Sequence, residues 1–365
     1  MAGTVAAAVL AQQGRRVVLL DLRSSYPPVF KAEKINQEQV ILLRKFGLLE
    51  HLLPYAGGVR AVQAAYDGRV FRTISIEQYG INYQDMVNAL RTRLPAGVEC
   101  RLGRVTAIAS SQDVQRLTLA DGGELRARLV VLANGVSTGL QQRLGLRRHL
   151  LLRDQSLVFG FSVAAAGEQN FSFDSVTYYS IDPSTCIDYL TLFKIRDTMR
   201  ANLFVFRGPL DPWVRAFVQQ PEKMLRQYLP KLERVTGAFR IVSAVESGRI
   251  DLFRMEGDPP PGVAMIGDCL QSVCPSTGLG LDKVLTDVDA LAECVPRWFA
   301  SPGMGREKLA KFYRHPRKLA MDAHALQNAR SHRQAAMDPS LRWRIHRFLL
   351  HRKWQLESAV RALRG

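Results

Sequence analysis

Residues 262–292, GVAMIGDCLQSVCPSTGLGLDKVLTDVDALA, restrict what this chain can fold into more than any other stretch. Val263–Ile266 is a short apolar run ending in Gly267-Asp268, the pattern of a buried strand that enters a loop. Pro275, Gly278 and Gly280 follow, and the periodicity then predicts a helix over 283–299. A helix start by itself does not need Gly-Asp, Pro and two glycines in this register. Glycines at such a turn let a ligand approach backbone N–H groups at a helix N-terminus.

The opening stretch MAGTVAAAVLAQQGRRVVLLD points the same way. Gly3 opens an Ala-rich helical run, Gly14 closes it, and Val17–Leu20 form an apolar strand ending in Asp21. In a dinucleotide-binding βαβ unit, the third glycine of G-x-G-x-x-G precedes the ribose-binding acid by about twenty residues. Gly3 and Asp21 are eighteen apart. On that register Met1 and Ala2 are the x-x pair, and the first strand and the two earlier glycines are expected upstream of residue 1. The upstream reading frame is expected to encode an apolar β-branched run ending in Gly-x-Gly. Taken alone, the segment is equally compatible with an ordinary helix and strand.

Between these two stretches the texture changes twice. FKAEKINQEQVILLRKFGLLEHL reads as a helix, residues 57–82 as a hairpin around YDGR, and QDMVNALRTRL as an amphipathic helix carrying Met86, Leu90 and Leu94. Strands flank the ADGGEL turn, and ARLVVLANG is a buried strand running into a loop. From about 151 to 255 the chain is mostly β, with a helical insert near 212–236; the remainder after 301 is helical and basic. The expected architecture is α/β: a discontinuous Rossmann-like unit of residues 1–56, 83–150 and 256–300, an inserted β-rich unit of 57–82 and 151–255, and a helical C-terminal region of 301–365.

The 262–292 stretch resembles the second FAD motif of the flavoprotein monooxygenases built like para-hydroxybenzoate hydroxylase. That family shows a strand, Gly-Asp, Pro-x-x-Gly-x-Gly, and a helix with an Asp in its first turns; here these are Gly267, Asp268, Pro275, Gly278, Gly280 and Asp287. The resemblance implies that Asp268 accepts a hydrogen bond from a ribityl hydroxyl. It also implies that Gly278, Leu279 and Gly280 turn backbone N–H groups and the helix dipole toward the flavin pyrimidine edge. Lys31-Ala32 falls at the family's Arg-Ala pair, where Lys31 either touches the FAD phosphates as a point charge or is a solvated surface residue. LVVLANG is similar to the family's strand-Asp-Gly motif, with Asn134 in the Asp place, Gly135 kept and Ser137 fitting. Tyr83 stands where an Arg or Gln often opens the following helix. Cys269 replaces the family's Ala, Gln271 its His, and Asp282 its Asn. The matches touch residues 1–47, 80–94, 118–145 and 245–294, and Gly3 and Asp21 join the cofactor set.

The resemblance implies a reaction in which NADH or NADPH reduces the flavin, O2 is consumed and one oxygen atom reaches an apolar or aromatic small molecule. Gln271 and Pro275 are the flavin-proximal candidates, with Gln271 expected on the substrate side; no general base is assigned. Two alternatives stay open. One is an FAD-dependent reductase acting on an isoprenoid or lipid-like substrate at a membrane surface. The other is a degenerate flavoprotein with a binding role through its basic tail.

Charge and cysteine use bound the remainder. Of a net charge of +17, residues 301–365 carry 15 Lys and Arg against 4 Asp and Glu. No aromatic-interleaved basic face or reader motif accompanies them, so nucleic acid is not expected. Asp338 and Pro339 are predicted as N-cap and N1 of a last helix, on which Leu341, Ile345, Phe348, Leu349, Leu356, Val360 and Leu363 form one stripe. That stripe either packs on the body or lies on an anionic membrane surface. Five scattered cysteines and no export leader predict a reduced, cytoplasmic protein, peripheral to a membrane in the second case. Cys269 and Cys274 are either a redox pair or small apolar fillers. No metal spacing is present, and the tail histidines (His315, His324, His332, His346, His351) read as surface residues.

Overall fold

Helix α1 (Ala2–Gln12) is Ala-rich, buries Val5, Val9 and Leu10, and hands over at Gly14 to strand β1 (Val17–Asp21). The structure is a computed structural model that describes residues 1–167 and 170–364, including their side chains except at 358 and 361–364. The segment after Lys31 is not helical from its start as expected. It is extended as β2 (Lys34–Ile35), and α2 (Gln37–Lys45) begins only at an Asn36–Gln39 capping box. Asn36 accepts the Gln39 backbone N–H while Gln39 accepts that of Asn36, which fixes the boundary.

The expected hairpin is β3 (Gly57–Tyr66) and β4 (Arg69–Gly80). Its turn residues Asp67 and Gly68 both have positive φ, as a two-residue primed turn requires. Helix α3 (Tyr83–Arg91) follows, burying Met86 and Leu90. β5 (Val98–Leu102) pairs parallel with β1, and β6 (Val105–Ala109), β7 (Gln115–Leu119) and β8 (Glu124–Ala127) form a small antiparallel sheet. β9 (Val130–Leu132) leads to the short α4 (Gly139–Arg143).

The long β10 (Arg147–Ala165), β11 (Ser175–Tyr179), β12 (Ile187–Ile195) and β13 (Thr198–Val205) make the centre of a nine-stranded sheet. Helices α5 (Pro212–Gln219), α6 (Pro221–Tyr228) and α7 (Glu233–Thr236) cover one face of it. There Phe159, Phe161, Leu203, Trp213 and Phe217 form a core, with the last two rings stacked at 5.1 Å. β14 (Phe239–Ile241) and β15 (Glu246–Glu256) complete that sheet against β10.

β16 (Val263–Met265) then pairs parallel with β9, and α8 (Gly280–Phe299) packs on α1 and α2, with Leu285, Val288 and Leu291 in their shared core. Among the described residues no strand joins the β1–β5 pair to the β9–β16 pair. α9 (Arg306–Tyr313), α10 (Pro316–Met337) and α11 (Leu341–Arg364) complete the chain. The α/β architecture with a β-rich portion and a helical C-terminal region is as expected.

Two expectations for the tail fail. Asp338 caps the end of α10, and its carboxylate accepts the Ser340 N–H, so α11 starts two residues later than predicted. The apolar stripe does not pack on the body: Leu341, Ile345, Phe348, Leu349, Leu356 and Val360 are between 46% and 68% exposed. Leu363 lies outside the described side chains. The opposite face docks instead, because it carries the larger flat ring. Trp354 is only 8% exposed, stacks on Phe71 at 4.7 Å and touches Tyr66 and Tyr179.

Candidate functional site

Four segments far apart in sequence meet at the start of α1. Burial, then Lys31 and Arg91, lower the Met1 amino group to about 5, with Asp21 and Asp268 acting in the opposite sense. Arg91 pairs with Asp21 and also donates to the Arg23 carbonyl. The expected ribose acceptor is therefore already engaged by a guanidinium that nothing local in sequence announces. Lys31 lies over the Tyr83 ring at 5.4 Å, and Tyr83 meets Tyr26 edge-on at 5.4 Å. Burial, with Tyr26 and Asp268 adding to it, raises the Tyr83 phenol well above its ordinary range. Lys31, Tyr83 and Asp268 thus form one cluster beside the N–H groups that open α1.

The Gly-Asp turn is built by backbone geometry. Gly267 has φ +61°, and a Cβ there would lie 3.2 Å from Val284 and 3.4 Å from Ala2, so the turn, α1 and α8 close on one another. Its N–H donates to Asp287 at 2.7 Å. Among the described residues none donates a hydrogen bond to Asp268. Burial pushes its carboxyl up, while Lys31 and Lys283 pull the other way.

The next turn is a 3-10 segment, Pro275–Thr277, closed by Gly278 in the left-handed region at φ +69°. Nothing lies within 4 Å of a Cβ built on Gly278 or Gly280, and no side chain caps α8. The result is an open cradle of glycines before the uncapped N-terminus of a 20-residue helix, a site for an anionic or electron-rich edge. Gln39 fixes the cradle from α2 by donating to the Gly278 carbonyl at 3.2 Å and to Asp282 at 2.6 Å. From the sheet, the Tyr189 hydroxyl donates to the Ser276 carbonyl at 2.6 Å. Behind Tyr189 runs an aromatic row, with Phe204 at 4.6 Å and Tyr179 at 5.9 Å between ring centres.

Other sequence candidates lie nearby with altered roles. Asn134 donates to the Ser137 carbonyl and exchanges hydrogen bonds with Gln141, and Gly135 turns with φ +64°. Gln141 in turn donates to the Cys269 thiol at 3.1 Å, and burial pushes that thiol up to about 12. Cys274 contacts Ser156 and Ser276 instead, so the two thiols serve separate neighbours. Gln271 does not face a substrate cleft as expected: it is 4% exposed, and its amide donates to the Asp322 carbonyl on α10. His332 is not a free surface residue either, since its Nδ1 lies 2.8 Å from Asp188 on β12.

Sequence reasoning missed a buried charge cluster. Lys283 contacts Asp287 at 3.0 Å and Asp322 at 2.6 Å, and Lys318 contacts Asp322 at 2.7 Å and Asp287 at 3.2 Å. Both lysine side chains are almost fully buried. Burial opposes the Lys283 charge, yet Asp287 and Asp322 hold its pKa above the ordinary value. The i,i+4 spacings Lys283–Asp287 and Lys318–Asp322 were the available signal. A second missed set is Arg200, held by Glu33 and Glu246 where the Lys31 segment meets β13 and β15.

The donor set fits a flavin dinucleotide: an open glycine cradle, a free carboxylate in Asp268, and cations at the start of α1. Comparison with known proteins agrees. The model of the FAD binding domain family matches residues 1–325. 3-demethoxyubiquinol 3-hydroxylase of Escherichia coli (strain K12) is 25% identical over 193 residues, which is 52% of this chain and 46% of that protein, so the match spans about half of that relative's length. Among solved structures, p-nitrophenol 4-monooxygenase PnpA from Pseudomonas putida DLL-E4 superposes with a TM-score of 0.74 at 16% identity, covering 96% of this chain and 90% of that one. PqsL from Pseudomonas aeruginosa gives 0.67 at 20% identity, covering 91% and 94%, and the halogenase PltM gives 0.70 at 16% identity, covering 92% and 74%. The expected kinship with the para-hydroxybenzoate hydroxylase-like flavoproteins is borne out: the chain belongs to the FAD binding domain family and has the fold of the FAD-dependent monooxygenases.

Proposed function

We propose that the chain is an NAD(P)H- and O2-dependent monooxygenase that hydroxylates a small apolar or aromatic molecule. The observation that carries this reading is the aromatic row Tyr179–Tyr189–Phe204, tied to the glycine cradle by the Tyr189–Ser276 hydrogen bond. An aromatic wall beside a flavin-binding turn suits an aromatic ring and excludes water. When bound, FAD supplies the redox chemistry. The chain's own groups divide the remaining work. The Gly278 and Leu279 N–H groups are taken by the Pro275 carbonyl and the Thr277 hydroxyl, so Gly280 and the first turn of α8 face the pyrimidine edge, Asp268 accepts from the ribityl chain, and Lys31 with the start of α1 offsets phosphate charge. Pro275 shapes the turn, and Tyr83, Asn134 and Gly135 border the cofactor. In this reading residues 1–56, 83–150 and 256–300 hold FAD, and 57–82 with 151–255 hold the substrate.

The names of the relatives suggest the test. FAD-loaded protein is given NADH or NADPH and a panel of phenols and quinols in air, with nucleotide oxidation, O2 uptake and product mass recorded together. Substrate-stimulated O2 uptake with a product gaining one oxygen atom supports the proposal. Nucleotide oxidation that no panel member accelerates, with no oxygenated product, sinks it. A second reading, reduction of an isoprenoid or lipid-like substrate at a membrane to which the chain is peripherally attached, is favoured by the exposed apolar face of α11. Turnover that persists without O2 selects it.

A further inference from the structure

Helix α11 is held to the body by one face and leaves the other without a partner. The inner face carries Trp354 against Phe71, and Arg347, whose guanidinium donates to the Ala335 and Asp338 carbonyls. The outer face carries Leu341, Ile345, Phe348, Leu349, Leu356 and Val360, all exposed. From Leu341 to Val360 that face is about 29 Å long at 1.5 Å per residue. Exposed Arg342, Arg344, Arg352 and Lys353 flank or interrupt it, and Arg352 lies over the Phe348 ring at 5.3 Å. The helix's one acid, Glu357, is turned to the body and paired with Arg72 at 3.0 Å. No helix among the described residues is long and apolar enough to cross a membrane, so α11 has the composition of a helix that lies in an interface.

We propose that the outer face of α11 docks on an anionic lipid bilayer, with the apolar stripe at the acyl boundary and the flanking arginines and lysine among the headgroups. Charge complementarity selects this occupant. Two copies of this face brought together would oppose Arg342, Arg344, Arg352 and Lys353 with no acid on either side to offset them. A negative headgroup layer pairs with each. Long Arg and Lys stems let the charged ends reach the headgroups while the stems cover apolar surface. This docking is independent of the reaction proposed for the flavin site.

The test uses full-length, FAD-loaded protein and needs no turnover. It is sedimented with phosphatidylcholine vesicles and with vesicles that also contain phosphatidylglycerol, at low and high salt. Expected are binding to the mixed vesicles, little to the neutral ones, and release as salt screens the headgroup contacts. Phe348→Ser/Leu349→Ser lowers vesicle affinity on the order of a hundredfold, since two large apolar side chains leave the interface. Its melting temperature and flavin absorbance stay at wild-type values, because both side chains are exposed. Arg342→Glu/Lys353→Glu removes the preference for phosphatidylglycerol. Wild-type protein that binds both vesicle types equally, or neither, overturns the proposal. So does a dimer in sedimentation velocity that Phe348→Ser/Leu349→Ser breaks, which assigns the face to a second copy.

Discussion

Asp268 is a carboxylate without a hydrogen-bond donor, next to Lys31 and Lys283 in a turn that backbone geometry fixes. Supplying a ribityl hydroxyl satisfies it, and a hydrogen bond to a charged group is worth about 1.5–3 kcal/mol. Asp268→Ala should therefore weaken FAD binding by about ten- to a hundredfold in fluorescence titration. Gln271→Ala should leave FAD affinity near wild type and lower the melting temperature instead, because it removes the amide that holds α10. Equal FAD affinity in Asp268→Ala and wild type would contradict the site assignment. Asp322 permits a pH test. Burial raises its carboxyl, but Lys283 and Lys318 outweigh burial and hold the folded pKa below the ordinary 3.8. A depressed folded pKa stabilises above the unfolded value and stops doing so as pH falls through the folded one. The stability gap between wild type and Asp322→Asn should thus be full at neutral pH, about 3–5 kcal/mol for one member of a buried network, and should close below about pH 4. A gap that stays constant in urea titrations down to pH 3 counts against the pairing.

At the scale of elements, local signals were legible and distant ones were not. The Gly267–Asp268 turn, the Gly278 cradle, the Asp67-Gly68 hairpin and α3 each carry their signal within a few positions, so spacing revealed them, although Asp287, Gln39 and Tyr189 hold the first two from farther away. The start of α2 was misplaced because its cap, the Asn36–Gln39 box, sits inside a run that is otherwise helix-compatible. The orientation of α11 could not be read from periodicity. Its stripe is more apolar, yet Trp354 and Leu350 on the other face find Phe71 and Tyr66, which are remote in sequence, and Arg347 there holds the end of α10. That docking is testable. Trp354→Ala should cost about 3 kcal/mol locally and raise hydrogen exchange across 341–357. Leu356→Ser, on the outer face, should leave exchange unchanged within about 0.5 kcal/mol. Protection lost in the second variant and kept in the first reverses the assignment of faces.

Across the whole molecule the proposed cofactor site is where remote segments are forced together. Gly3, Lys31, Tyr83, Asn134 and the 267–280 loop belong to separate stretches of chain, and Tyr189 reaches that loop from the large sheet. The partners that hold them, Arg91 on Asp21 and Arg200 on Glu33, are 70 and 167 residues away, which is why no sequence window revealed them. A ligand bound across so many segments binds only the folded chain, so it stabilises every element at once. At a hundred times its dissociation constant it adds about 2.7 kcal/mol. With an unfolding entropy of about 2.1 cal/mol/K per residue, a chain of 365 residues should gain about 3–4 °C in melting temperature on saturation with FAD. The rise should be as large when followed at Trp354, on the sheet side, as in the far-ultraviolet signal of the whole chain. Gly278→Val places a β-branched residue at φ +69° and fills the open cradle, so the FAD-induced rise should vanish while the unliganded protein still melts cooperatively. An undiminished rise in Gly278→Val would put FAD elsewhere.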